Sequence, residues 1–184
     1  YDTKQIAISV LNALNFLHER ENPIIHNEVT SQNIMLDMSS EQSVPKLIDF
    51  GWAQFLNSPT QKINLEHLNP FYLAPERFNG VSSAQSDLYS VGVLIYHLLF
   101  GQVPWYFDLS RIEPGQRINV LLAQKQSPLK MLNTNMFELD EQMINTMVKA
   151  TSYEVEERFQ SADEFISALN GDLIVHFSSS IVQK

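Results

Sequence analysis

Residues 25–33 read Ile25-His26-Asn27-Glu28-Val29-Thr30-Ser31-Gln32-Asn33, and residues 47–51 read Leu47-Ile48-Asp49-Phe50-Gly51. Between them lie two apolar runs, Ile34-Met35-Leu36 and Lys46-Leu47-Ile48, separated by the polar stretch Asp37 to Ser43. That layout predicts a small hairpin. Glu28, Asn33 and Asp49 then stand beside short strands, where loop ends converge. Their oxygens suit a hard cation such as magnesium, which takes one or two carboxylates and completes its shell with phosphate and water. Asp-Phe-Gly on its own means little, because a polar-aromatic-glycine turn is a common way to leave a strand.

Outward from this centre the chain reads as helical. Ile6, Ala7, Val10, Leu11, Leu14 and Leu17 recur at spacings of three and four, which predicts a core-facing helix from Thr3 to about His18, ended by Asn22-Pro23. Downstream, Ser82 or Ser83 caps a helix through Leu88, Val91, Val93, Leu94, Ile95, Leu98 and Leu99, closed by Gly101. Apolar side chains nearly all round it predict burial. Further helices are expected over Gln116 to Lys125, over Asp140 to Ala150, and after Ser161, where Ser161 with Glu164 forms a capping box and Gly171 is the stop. Asn57 to Asn69, with Ser58-Pro59-Thr60, and Gln102 to Pro114, with Trp105-Tyr106-Phe107, read as loops. There is no internal repeat.

The 184 residues are 44% hydrophobic, enough for one domain with a sizeable core. Acidic residues outnumber basic ones 21 to 12, giving a formal charge of -9, and no basic patch offsets it. Nucleic acid and anionic membranes are therefore disfavoured as partners. No apolar run reaches the roughly 18 residues of a membrane span, and no signal-peptide layout opens the chain. Tyr1 begins inside a helical pattern, so the chain is expected to continue a longer protein. Zero cysteines excludes disulfides and thiolate metal sites and fits a reducing, cytoplasmic setting.

A third stretch, Tyr72-Leu73-Ala74-Pro75-Glu76, changes the weight of the first two. Taken in order, His26, Glu28 and Asn33, then Asp49-Phe50-Gly51, then Ala74-Pro75-Glu76 resemble the signature set of the eukaryotic-type protein kinases. The resemblance continues through Asp87-Leu88-Tyr89-Ser90-Val91-Gly92, Gly101-x-x-Pro104-Trp105 and Arg158, covering nearly the whole chain. It implies a mainly α fold over 1–184, the C-terminal lobe with a small β-hairpin near the active site. The glycine-rich loop, strand lysine and helix glutamate of the N-terminal lobe are not in this chain. ATP and Mg2+ binding would need that complementing lobe, and the isolated chain is expected to be inactive.

By the same resemblance, Glu28, Asn33 and Asp49 are the catalytic positions, Asn33 and Asp49 the metal ligands, and Gln32, Asn33, Met35 and Asp49 the nucleotide contacts. Met35 would sit beneath the adenine ring, although core packing explains a Met there equally. His26 and Phe50 are expected as internal packing residues, Glu76 with Arg158 as a buried ion pair, and Asp87 as acceptor of catalytic-loop amides. The departures concern rate and regulation. Glu28 stands for an aspartate, Thr30 for the lysine facing the transferred phosphoryl, and Asn27 for the arginine that answers activation-loop phosphorylation, while Leu68-Asn69 replaces Gly-Thr. An atypical serine/threonine kinase acting on a protein substrate is one reading. The alternative is a pseudokinase, a regulatory or scaffold module that binds a protein partner.

Overall fold

The computed structural model describes residues 2–39, 43–59, 67–132 and 140–176, together with the backbone of 182–183. Most helices start where a short polar side chain can take up an orphan amide. Asp2 accepts from the Lys4 amide at the head of α1 (Thr3–His18), and Ser83 from Ser86 at the head of α2 (Ala84–Phe100). Asp140 and Ser161 do the same for α4 (Glu141–Ala150) and α5 (Ala162–Asn170). The intervening α3 (Arg117–Lys125) has no side-chain cap and grows out of a 3-10 turn at Pro114–Gln116. Gly101 and Gly171 end α2 and α5 in the left-handed conformation, with φ of 73° and 82°.

Helix α2 is the centre of the core. From Ser86 to Tyr96 every residue is buried, because α1 and α4 pack against it and α5 closes over α1 and α4. The α2–α4 approach is close enough that a Cβ on Gly92 would lie 2.7 Å from the Ala150 Cβ. Three polar residues within this apolar helix are satisfied by loops. Ser86 donates to Glu76, Ser90 to the Tyr72 carbonyl, and Asp87 accepts two backbone amides. Buried polar groups need such partners, so the core helix also holds the loops above it in place.

The expected hairpin is present as β2 (Ile34–Asp37) against β3 (Val44–Leu47), antiparallel with Ile34 opposite Leu47. A second antiparallel pair was not legible in the sequence: β1 (Ile24–Ile25) with β4 (Gln54–Phe55). Two residues are too short a run to show alternation. A parallel pair, β5 (Leu129–Lys130) with β6 (Val182–Gln183), was likewise unanticipated.

The capping box at α5 differs from expectation. Ser161 accepts from the Glu164 amide, but the Glu164 carboxylate takes the Gln160 amide at 2.7 Å rather than that of Ser161. The predicted 102–114 loop contains a one-turn 3-10 helix at Leu109–Arg111. Of the expected 57–69 loop, residues 60–66 lie outside the described residues, and the remainder has no regular secondary structure beyond turns. Among the described residues no helix is long and apolar enough to cross a membrane.

Candidate active site

The two short ladders decide where the site forms. The 26–33 loop leaves β1 and enters β2, and the 48–53 turn leaves β3 and enters β4. Because β1 pairs with β4 and β2 with β3, each end of one loop is tied to an end of the other. The Ile48 amide extends the β2–β3 ladder by donating to the Asn33 carbonyl at 2.9 Å, so Asn33 and Asp49 emerge from the ladder next to each other.

Beneath the loop, Asp87 is buried in α2. Its carboxylate accepts the His26 and Asn27 amides, both at 2.8 Å, and lies 2.9 Å from His18 Nε2. The sequence expectation for Asp87 holds, and His18 is an addition that no motif marked. Asn27 adopts φ of 67° and Asp49 φ of 62°. The left-handed region is open to Asn and Asp at modest cost, and strain of this kind concentrates at functional loops. The Asn27 side chain donates to the Trp52 carbonyl at 3.0 Å and accepts from Ser82 Oγ at 2.6 Å. A neutral amide therefore joins the 48–53 turn to the segment ahead of α2.

At the site itself, Asn33 is buried and donates through Nδ2 to the Glu28 carbonyl at 2.9 Å, leaving Oδ1 as a free acceptor among the described residues. Asp49 is exposed, and its Oδ1 accepts the Gly51 amide at 3.0 Å while Oδ2 has no partner there. Burial first, and then the negative charge of Asp49, raises the Glu28 carboxyl above its usual range, with the Asn33 side chain acting in the opposite sense. Three oxygen-bearing side chains thus act on one small region. Among the described residues no three His, Cys, Asp or Glu side chains gather into a self-sufficient metal site. Two unpartnered oxygens fit a magnesium ion that takes its other ligands from phosphate and water.

The remaining expected positions divide. Gln32 lies exposed in a 3-10 turn, Ser31–Asn33. Met35 is 56% exposed on the hairpin, which removes core packing as the reason for its presence. Thr30 is buried, and its carbonyl accepts the Asn33 amide at 3.1 Å. His26 is fully buried as expected, and burial above all, against the charges of Asp87 and Asp49, lowers its pKa. Phe50 is a correction. Its ring meets His26 edge-on at 5.0 Å but remains 51% exposed, because His26 covers only one side of it.

Below the site, Arg158 grips Glu76 through both guanidinium nitrogens at 2.7 and 2.8 Å, confirming the expected buried pair. Burial alone would push the Glu76 carboxyl up, but the bonds and charge of Arg158, with Ser86, hold it below its usual range. In the preceding segment Leu68 is buried in the core, and Asn69 accepts the Phe71 and Tyr72 amides at 3.2 Å. The Tyr72 hydroxyl links Ser31 of the 26–33 loop to His97 of α2. The partners of Tyr72, His97, Ser82 and Lys125 could not be read from the sequence, since each lies far along the chain.

The chain is 39% identical over 120 residues to "Serine/threonine-protein kinase ULK3" of Homo sapiens, covering 64% of this chain and 25% of that protein. It is 34% identical over 112 residues to "Calcium-dependent protein kinase 3" of Plasmodium yoelii yoelii, covering 58% of this chain and 20% of that one. With "Probable serine/threonine-protein kinase PknB" of Lactococcus lactis it shares 26% over 166 residues, 89% of this chain and 24% of the relative. The chain thus spans between a fifth and a quarter of the length of these relatives. The family described as protein kinase domain matches residues 1–169, nearly all of the sequence, and the chain belongs to that family.

Proposed function

We infer that residues 1–184 form the C-terminal lobe of a two-lobed protein kinase that transfers the terminal phosphoryl of Mg-ATP to a serine or threonine hydroxyl of a protein substrate, slowly, in a reducing cytoplasmic setting. The observation that carries the reading is the pair of free oxygens, Asn33 Oδ1 and Asp49 Oδ2, on neighbouring ends of one ladder. Asn33 and Asp49 would hold the metal that neutralises the phosphates, and Gln32 and Met35 would flank the nucleotide. Glu28 orients the substrate hydroxyl and receives its proton, a role that a raised carboxyl pKa suits.

Two features argue for a low rate. Glu28 carries one methylene more than an aspartate, and a displacement near 1 Å can cost on the order of a hundredfold. Thr30 puts no positive charge near the developing anion. The Thr30 substitution also favours the second reading, a pseudokinase that binds a protein partner and uses the fold as a regulatory or scaffold module.

Phosphate transfer by the full-length protein, compared with its Asp49→Ala variant, separates the two. The kinase reading expects signal from the former and none from the latter; equal signals end it. Glu28→Asp should raise turnover if the site is live but imperfectly spaced, whereas an unchanged rate supports the scaffold.

A further inference from the structure

The most unusual charge in the chain plays no part in the reading above. Lys125, the last residue of α3, is 3% exposed. Its side-chain nitrogen donates to the Phe71 carbonyl at 2.8 Å and approaches the Tyr89 hydroxyl at 3.4 Å. It lies 5.1 Å from the Tyr89 ring centroid and 5.5 Å from that of Trp105. A lysine is almost never fully buried unless it is paired, and among the described residues no carboxylate pairs with this one.

A charge in that position is costly, and its surroundings favour the uncharged amine. Burial first, and then the positive charge of Arg158, brings the Lys125 pKa down from 10.5 to about 7, with Glu76 acting in the opposite sense. The folded chain therefore binds this proton less readily than the unfolded chain, and the group's contribution to stability grows as pH rises from about 7 toward 10.5. An uncharged amine also carries a lone pair, and desolvation of this kind is how lysine nucleophiles are made.

Access and room decide what such an amine meets. Lys125 lines a cavity of about 270 Å³ with Trp105, Ser127, Tyr153 and Glu157. One water-sized molecule needs only roughly 10 to 15 Å³ of such space. A side chain 3% exposed is closed to bulky or charged reagents and open to a small neutral one. The site is also furnished for an anionic product. The Tyr89 hydroxyl has no partner but Lys125 among the described residues, and burial above all keeps its proton in place. The Arg158 guanidinium lies 4.8 Å from the centroid of the same ring, and a positive field that disfavours an ammonium favours an anion.

We propose that Lys125 is a site of reversible carbamate formation with carbon dioxide, the product lying in the cavity beside Trp105 and held by the Tyr89 hydroxyl and the Phe71 carbonyl. The amine lone pair attacks the carbon of carbon dioxide, an N–C bond forms as one C=O π pair moves onto oxygen, and the nitrogen gives up one proton to water. The N–H that remains keeps the bond to the Phe71 carbonyl, and a carbamate oxygen accepts from Tyr89. The titratable groups facing the site are Tyr89 of α2, Glu76 ahead of α2, Arg158 ahead of α5, and Tyr153 and Glu157 on the cavity wall. Glu76 is already paired with Arg158, so Glu157 is the carboxylate on the wall that opposes an anion. The inference rests on no part of the kinase reading.

The test uses the full-length protein equilibrated with isotopically enriched carbon dioxide at fixed pressure. A carbamate carbon should appear in the carbon NMR spectrum, and trapping by O-alkylation followed by peptide mass mapping should place it on Lys125. Occupancy should rise roughly tenfold between about pH 6 and 8, following the uncharged fraction of an amine that titrates near 7, while lysines with ordinary pKa values stay unmodified. Tyr89→Phe should lower occupancy by roughly tenfold, the scale of a lost hydrogen bond to a charged group. Lys125→Met should abolish the signal; if that variant does not fold, mapping on the wild type decides alone. No carbamate on Lys125 at saturating carbon dioxide, a signal that maps only to the α-amino group, or one that persists in folded Lys125→Met overturns the proposal. No activity is measured, so failure of the kinase reading would not be mistaken for failure of this one.

Discussion

Arg158→Met should be among the most damaging single changes in the chain. The guanidinium has no exposed side-chain surface, holds both Glu76 oxygens, and donates to the Ser152 and Tyr153 carbonyls at 2.7 and 2.8 Å. Removing it strands a largely buried carboxylate and leaves two carbonyls to find other donors. Breaking a buried pair from one side costs about 3 to 5 kcal/mol. With a urea m-value near 2 kcal/mol/M, the midpoint should fall by roughly 1.5 to 2.5 M. Adding Glu76→Gln to Arg158→Met should return part of the loss, because no buried charge is then left unpaired.

The pH dependence of that loss carries a sign that can be checked. In the wild type the Glu76 carboxyl titrates below its unfolded value, so the pair's contribution is complete above the unfolded pKa of about 4.5 and is lost as pH falls through the lower folded value. In Arg158→Met only burial remains as the leading influence, and Glu76 should titrate higher than in the unfolded chain. The stability gap between the two proteins should be widest above about pH 5 and narrow toward pH 3 to 4. Urea titrations at several pH values measure it. A cost below about 1 kcal/mol at neutral pH, or a gap that does not narrow in acid, would refute the reasoning.

Asp87→Asn keeps the shape of the side chain but can offer an acceptor to only one of the His26 and Asn27 amides; a loss of about 2 to 4 kcal/mol and faster exchange of those two amides are expected. Gly92→Ala drives a methyl to 2.7 Å from the Ala150 Cβ and 2.9 Å from the Thr151 Cγ2. Overpacking costs about 1 to 3 kcal/mol against a helix-propensity gain of up to about 1, so the melting temperature should fall by a few degrees rather than rise. For the full-length protein, the acid limb of phosphate transfer should lie above the ordinary glutamate range, since burial and Asp49 raise Glu28. Glu28→Gln should abolish that limb together with the activity, and a limb unmoved by the change would remove Glu28 from the role of base.

Local chemistry was enough to read much of this protein. Helix starts at Ser83, Asp140 and Ser161 and stops at Gly101 and Gly171 are decided within a few residues of chain, so capping residues and 3.6-residue periodicity expose them directly. The ordered motifs around Asn33, Asp49 and Glu76 marked the candidate site, and the contacts of Asp87 and Arg158 were expected from the same resemblance. Tertiary packing decided the rest. Whether Met35 on the hairpin and Phe50 in the turn after it are covered depends on which face has a neighbour, and two-residue strands such as Ile24–Ile25 exist only because Gln54–Phe55 arrives beside them. Lys125 shows the limit most clearly. In the sequence it is an unremarkable cation at the end of a helix; buried beside Tyr89 and Trp105, 54 residues from the Phe71 carbonyl it holds, it becomes a charge met by one carbonyl, one phenol and two aromatic faces, and only the folded chain supplies the low-dielectric surroundings that lower its pKa.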